Sequence, residues 1–291
     1  MAVTKREDEE WRIAFLKYGG SARHLLTMEE TTLFSSTTQA IADADAKDLF
    51  KPMNVEFKDN VSSFLIEINP MTDPQSMQCD RSLSSSGIIS KAILELIMER
   101  TELELASEMK SGFDSLMRYQ GSRSAAGLLF EGAGHRWLLK ACKSPLTANS
   151  LSHPGQTVVL NLSHLVGTID FGDITKLDGT KYYRPLSSRL AGVDSFALEV
   201  DTEGHATEVI LFQFTVSAHH PIKISFVKEL WGSGNLSNLK WRYIFIVPEG
   251  EASGLTEQSW APASEADTWK KRIDQYVLGV NTVELYETLR K

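Results

Sequence analysis

The residues best placed to do chemistry lie in a segment whose pattern predicts a β-hairpin. In VDSFALEVDTEGHATEVILFQFTV, two apolar runs meet at Glu203 and Gly204, and glycine can adopt the positive φ that a tight hairpin turn requires. With these two residues as the turn, Asp194 pairs directly with Gln213, so that a carboxylate faces an amide in an apolar hairpin. The alternative is that Asp194 caps a strand start and Gln213 faces solvent at a sheet edge.

A second pair of chemically capable residues, Glu131 and His135, lies four residues apart in a predicted helix from Ala125 to Leu139. This spacing puts both side chains on one helical face. Near Asp194, oxygen ligands of this kind would suit Mg²⁺ or Mn²⁺, which can orient a phosphodiester and supply an activated water. The alternative is an ordinary surface pair or a partly buried polar contact.

Several enzyme classes are disfavoured because their motifs are missing. The sequence has no phosphate-binding loop that ends in Gly-Lys-Ser/Thr, no G-x-G-x-x-G, no G-x-S-x-G and no H-E-x-x-H. The two cysteines, Cys79 and Cys142, are too few for a disulfide framework or a zinc site, so we expect a reducing compartment.

The composition is that of a globular protein, with 291 residues of which 42% are hydrophobic and 23% charged. A net charge of -8 argues against a general nucleic-acid binder, although residues 121–245 carry more Lys and Arg than Asp and Glu. No apolar run approaches the length of a membrane span, and the first residues are charged rather than apolar. We therefore expect an intracellular protein with no signal peptide, transmembrane segment or membrane partner.

Hydrophobic periodicity predicts a helical first part. It indicates two helices separated by a turn within 10–28, a short helix over Asp43–Phe50, a strand over Ser62–Asn69, a loop over Thr72–Ser86 and sustained helix over Gly87–Tyr119. The apolar stripe of the last segment is typical of core packing, with a homo-oligomer interface as the alternative.

Beyond Pro145 the pattern changes to that of a mixed sheet. The predicted strands are Thr157–Leu162, Thr168–Thr175, Lys181–Pro185, Val193–Val200, Thr207–Val216 and Trp241–Val247, followed by a final helix over Ala266–Leu278.

Four segments give the chain a resemblance to a known family. These are GLLFEGAGHRWLL (127–139), YYRPLSSRLAGVDSFAL (182–198), LFQFTVSAHHPIK (211–223) and YIFIVPE (243–249). Together they resemble the C-terminal nuclease-like region of fungal Crinkler-type effectors and of the related retrotransposon hot spot proteins, over about residues 85–280. The run from Gly19 to Arg23 is similar to the closing segment of the NTPase domain that usually precedes that region, but no Walker A motif lies upstream.

The resemblance implies an α/β (α+β) restriction-endonuclease-like fold of the PD-(D/E)xK kind, in which helices flank a mixed central sheet. A helical N-terminal segment would precede it. The expected domains are residues 1–60, similar to the end of an NTPase lid, residues 61–120 with a strand and connecting helices, and residues 121–291 as the nuclease-like domain.

The resemblance also implies roles for individual residues. Glu131 and Asp194 would be the metal ligands, and Gln213 would orient metal or water, with His135 in the same helical motif. Thr215 occupies the position where an active member has lysine, and a neutral hydroxyl cannot stabilise developing negative charge in the same way. The nearest substitutes in the family motifs are Lys223, Arg184 and Arg189.

Two functions follow from the resemblance. The first is a Mg²⁺- or Mn²⁺-dependent DNA endonuclease within an effector that acts inside a host cell, in the nucleus. The second is a catalytically degenerate nuclease fold that binds DNA or a host protein. The basic residues expected to contact DNA are Arg136, Lys140, Lys143, Lys181, Arg184, Arg189, Lys223, Lys240 and Arg242.

Overall fold

The computed structural model divides the chain into two compact units. It describes residues 8–19, 22–44, 63–72, 79–90, 92–94, 96–97, 106–118, 123–171, 177–185, 192–233 and 235–288. The first unit comprises residues 1–132 with 289–291, and the second comprises residues 133–288. The boundary falls within one helix, Arg123–Ala141.

The first unit combines helices with a two-stranded antiparallel sheet. Its elements are α1 (Asp8–Tyr18), α2 (Ala22–Thr27), α3 (Glu30–Asp43), β1 (Ile66–Thr72), β2 (Cys79–Ile88), α4 (Ala106–Met117) and the start of α5 (Arg123–Ala141). The Ser90 hydroxyl donates to the Lys17 carbonyl at 2.7 Å, and the Ile89 N–H donates to the Leu65 carbonyl at 2.9 Å. These bonds tie the end of α1 to the sheet.

The predictions for the first unit are confirmed in part. The two N-terminal helices and their turn at Gly19 are present, and α4 lies within the predicted helical segment. The loop predicted over Thr72–Ser86 is wrong from Cys79 onward, and the predicted start of the next helix at Gly87 is also wrong. Both stretches belong to β2, which exists because it pairs with β1, and its serine-rich sequence carries no alternation to reveal this. The short helix predicted over Asp43–Phe50 falls, beyond residue 44, outside the described residues.

The second unit is built on an eight-stranded mixed sheet. Its strands are β3 (Leu146–Ser150), β4 (Thr157–Leu160), β5 (Gly167–Phe171), β6 (Lys181–Pro185), β7 (Ser195–Val200), β8 (Ala206–Phe214), β10 (Lys240–Pro248) and β12 (Ile273–Val280), and β9 (Ile222–Lys223) pairs separately with β11 (Trp260–Ala261). The order across the sheet is β4-β3-β12-β10-β8-β7-β6-β5. Strands β8, β10 and β12 are mutually parallel, whereas β6, β7 and β8 run antiparallel to one another in turn.

Helices cover this sheet. They are the end of α5, α6 (Ile224–Trp231), α7 (Glu249–Ala252), α8 (Ala266–Lys270) and α9 (Thr282–Glu287), with 3₁₀ turns at Leu236–Asn238 and Ala263–Glu265. Phe226 on α6 joins Phe196 on β7 and Phe245 on β10 in a buried apolar cluster. The predicted mixed central sheet with flanking helices is therefore confirmed.

The end of the chain differs from its prediction. A helix was predicted over Ala266–Leu278, but α8 ends at Lys270 and Ile273–Val280 form the strand β12 between β10 and β3. Ile273, Tyr276, Val277 and Val280 lie at helical spacing, which explains the error. Because both faces of a central strand are buried, its apolar residues need not alternate, and helical spacing can arise without a helix.

The hairpin that carries Asp194 and Gln213 has the predicted pairing but a different turn. The chain reverses over Thr202–Gly204, where the Asp201 N–H donates to the His205 carbonyl and Gly204 has a φ of 84°. A bulge between Glu199 and Val200 then shifts the register by one residue. The two differences cancel, so Ser195 pairs with Phe212 as the predicted register requires. Asp194 lies just before β7, where its N–H donates to the Phe212 carbonyl at 2.9 Å and its side chain meets that of Gln213.

Candidate functional site

The site is centred on the Asp194 carboxylate, at the start of β7. Its Oδ2 accepts hydrogen bonds from the Gln213 side-chain nitrogen and from the Phe214 backbone N–H, each at 2.7 Å. Gln213 is only 5% exposed although it carries a polar amide. The predicted meeting of a carboxylate with an amide is therefore present, at one end of an otherwise apolar pair of strands.

Tyr243 on β10 completes this group. Its hydroxyl donates to the Gly192 carbonyl and to Gln213 Oε1, the latter at 3.3 Å. Burial raises the pKa of Tyr243 well above its usual value, and the negative charge of Asp194 raises it further. The tyrosine thus remains a proton donor, and it turns the Gln213 oxygen toward itself and the Gln213 nitrogen toward Asp194.

Replacing Tyr243 with phenylalanine should lower the free energy of unfolding by about 1–3 kcal/mol, because it leaves buried acceptors on Gly192 and Gln213 without their donor. Urea unfolding measures this loss. In the Gln213→Leu background the same change should cost less, since one acceptor is already gone. Strictly additive losses in the two backgrounds would contradict a bond between Tyr243 and Gln213.

Thr215 and the segment that follows it form a braced loop after β8. The buried Thr215 donates its N–H to the Ile246 carbonyl, and its hydroxyl accepts the Ser217 N–H, both at 3.0 Å. Gln258 then accepts the His220 N–H at 2.6 Å and donates to the Ala218 carbonyl at 3.1 Å. The Thr215 hydroxyl thus shapes the chain as β8 ends.

His135 belongs to a different polar group. Its Nδ1 lies 2.6 Å from the Tyr182 hydroxyl, which lies 2.5 Å from the Ser195 hydroxyl, and all three side chains are buried. The His135 ring also packs edge-on against Phe214. Phe214 directly follows Gln213 on β8, and successive side chains of a strand point to opposite faces. The structure therefore does not bring His135 to the Asp194 carboxylate.

Glu131 lies one helical turn before His135 on α5 and is half-buried. It belongs to the first unit, whereas Asp194 and Gln213 belong to the second.

No family model, curated protein or solved structure matches this chain. Its candidate site has to be judged on its own chemistry. Carboxylate and amide oxygens, as in Asp194 and Gln213, are ligands of the type that Mg²⁺ and Mn²⁺ prefer. Across the described residues, no group of three or more His, Cys, Asp and Glu side chains is arranged to hold a metal ion. Asp194 and Gln213 thus offer oxygen atoms of the chemical type that a hard cation binds, and the two residues together supply two ligands.

Many of the predicted DNA-contacting residues are engaged within the protein. Arg184 forms a two-pronged bond with Asp170 at 2.7 and 2.9 Å, and Arg242 binds Glu208. Lys143 donates to the Leu165 carbonyl at 2.6 Å, and Lys140 donates to the Thr288 carbonyl. Arg136 and Lys181 are half-buried, Lys223 and Lys240 are exposed, and Arg189 lies outside the described residues. No helix in the described parts of the chain is long and apolar enough to span a bilayer.

Sequence reasoning missed Tyr243 and Gln258. Tyr243 lies in a strand whose apolar pattern hides a hydroxyl that serves Gln213, and Gln258 lies in a short polar stretch with no periodic signal. A parallel alignment of β10 with β8 would have placed Tyr243 beside Leu211, two pairs away from Gln213 and on the same face of the sheet. The sequence alone does not specify that alignment.

Proposed function

We propose that this chain is a restriction-endonuclease-like domain of the Crinkler kind that cleaves DNA phosphodiester bonds with the help of Mg²⁺ or Mn²⁺. The observation that carries the proposal is the contact between Asp194 and Gln213. If β6 is counted as the first core strand, Asp194 introduces the second and Gln213 lies on the third, which are the positions the resemblance assigns to them. The same resemblance makes the host nucleus the place of action.

In this proposal Asp194 is the anionic ligand that would hold the cation. Gln213 and the Phe214 N–H orient the carboxylate, and Tyr243 orients the Gln213 amide. A bound divalent cation would polarise the phosphodiester. The low exposure of Gln213 and Tyr243 limits the motion of the carboxylate, which is what a metal ligand requires.

A second candidate function is a degenerate nuclease fold that binds DNA or a host protein without cleaving it. Three observations favour it. Thr215 carries no charge and is occupied in shaping the loop, and the Gln213 oxygen is engaged by Tyr243. Arg184 and Arg242, two of the expected DNA contacts, are also neutralised by carboxylates.

A supercoiled-plasmid nicking assay with Mg²⁺ and with Mn²⁺ distinguishes these functions. We expect the native protein to nick the plasmid, and Asp194→Asn to lower the rate by about 100-fold or more, because several kcal/mol of charge stabilisation by the cation would be lost. The asparagine keeps the size of the side chain and an oxygen for the Phe214 N–H.

Asp201→Asn is the matched control, because Asp201 lies in the same hairpin and is exposed. It should nick at the native rate. If the folded native protein leaves the plasmid intact at all metal concentrations, the nuclease proposal is wrong. DNA affinity that falls steeply with salt would then favour the binding function with DNA as the partner.

A further inference from the structure

Lys223 lies directly against the chain segment that carries Asp194. It ends β9 and precedes α6. Gly192, two residues before Asp194, has a φ of 104°. A Cβ atom on Gly192 would lie 2.8 Å from the Lys223 carbonyl oxygen, 2.9 Å from its nitrogen and 3.1 Å from its Cβ. Only a glycine at position 192 allows the Lys223 backbone to come this close. The Lys223 side chain therefore starts next to Gly192.

The same glycine connects Lys223 to the rest of the site. The Gly192 carbonyl accepts the hydroxyl of Tyr243, which also donates to Gln213, and Gln213 in turn donates to Asp194. The backbone of Lys223 is itself fixed, because β9 pairs with β11. These contacts place Lys223 on the structural unit that positions the Asp194 carboxylate.

The charge of Lys223 is available. Its side chain is exposed, and it forms no ion pair or side-chain hydrogen bond with the described residues. Gly192 and Asp194 are at most about 7 Å apart along the chain. A lysine has a flexible four-carbon stem that carries a compact positive charge, so its ammonium group can approach a phosphate held beside Asp194.

We propose that Lys223 is the cationic residue of the Asp194 site and stabilises the negative charge that develops on a phosphodiester during cleavage. This inference rests on the proposed nuclease function. In the reaction, the oxygen of a water molecule forms a new bond to phosphorus, the ester P–O bond breaks, and the leaving oxygen gains the proton that the water loses. Lys223 transfers no proton and contributes positive charge alone, a task for which the neutral Thr215 is unsuited.

The test compares Lys223→Met, Lys223→Arg and the control Lys228→Met in the full chain. Lys228 lies five residues later on α6 and is paired with Glu265 at 3.0 Å. We expect Lys223→Met to slow plasmid nicking by about 100-fold, as the loss of a positioned charge-stabilising donor does in other active sites. Lys223→Arg should recover part of the rate, and Lys228→Met should match the native protein.

Mn²⁺ binding, measured by calorimetry without DNA, provides a readout that does not depend on cleavage. Removing a nearby positive charge should tighten Mn²⁺ binding severalfold in Lys223→Met and leave it unchanged in Lys228→Met. Native nicking and unchanged Mn²⁺ affinity in Lys223→Met would overturn the assignment of Lys223 alone. A native protein that neither nicks DNA nor binds Mn²⁺ through Asp194 would overturn the nuclease proposal, and the assignment of Lys223 with it.

Discussion

Replacing Arg242 with methionine should lower the free energy of unfolding by about 3 kcal/mol near neutral pH, the lower end of the cost of breaking a buried ion pair, because it leaves two half-buried carboxylates without their main cation. Arg242 lies on β10 and is 8% exposed. Its two terminal nitrogens bind the Glu208 carboxylate on β8 at 2.7 and 2.9 Å, and one of them lies 3.6 Å from Glu199 on β7. One arginine therefore balances two carboxylates across three strands.

The loss should depend on pH. Burial raises the pKa of Glu208, the neighbouring Glu199 raises it further, and Arg242 opposes both effects. A carboxyl group whose pKa is higher in the folded protein stabilises the fold when it is protonated, and this stabilisation is lost as pH rises through the folded pKa. Without Arg242 the pKa of Glu208 in the folded protein rises further, so more stability is lost as pH rises. The variant should therefore be closer to native stability near pH 5 than near pH 7.5.

Urea unfolding at the two pH values measures both effects. Lys240→Met is the control, since Lys240 is exposed and lies 3.9 Å from Glu208. It should cost no more than about 1 kcal/mol. The explanation would be wrong if Arg242→Met cost no more than the control, or if its cost were the same at both pH values.

The hairpin shows how much local pattern could predict. Counting outward from a turn at Glu203 and Gly204 was enough to bring Asp194 and Gln213 together, because a hairpin turn fixes which residues of its two strands pair. The turn itself was wrong by one residue, and the bulge at Glu199 was not foreseen. These two errors cancel at the far end of the strands. The predicted contact between the Asp194 and Gln213 side chains was therefore correct, although the predicted turn was not.

The final strand shows where local pattern fails. Residues 273–280 have apolar side chains at helical spacing, and only their position between β10 and β3 makes them a strand. A buried central strand is recognised by its neighbours in the sheet, and these come from residues 240–248 and 146–150. Periodicity within the segment carries no information about those neighbours.

The sequence could predict only that part of the candidate site whose residues lie close together along the chain. Asp194 and Gln213 belong to one hairpin, so their contact follows from one turn. Tyr243 and the approach of Lys223 to Gly192 depend on how distant segments cross, which no spacing along the chain specifies. The sequence could nominate Lys223 as a positive charge in a family motif, but only the fold shows what its backbone touches.

Replacing Gly192 with alanine should therefore have a large effect on both stability and cleavage. At a φ of 104° an alanine is strained, at a cost of about 1–3 kcal/mol. Its methyl group would also meet the Lys223 backbone at 2.8 and 2.9 Å, so one of the two segments has to move. We expect a lower midpoint of urea unfolding and a nicking rate reduced along with it, because Asp194 and Lys223 would be displaced relative to each other.

Gly204→Ala separates these two causes. Gly204 also has a positive φ, 84°, but a Cβ there would meet nothing within 4 Å. Its substitution should carry the backbone strain alone and leave nicking unchanged. The extra loss in Gly192→Ala then measures the close approach of Lys223, and equal losses in the two variants would show that this approach does not hold the site together. Because the same contact anchors the lysine proposed to act on the phosphodiester, a larger stability loss in Gly192→Ala with unimpaired nicking would separate the structural role of the contact from the proposed chemistry.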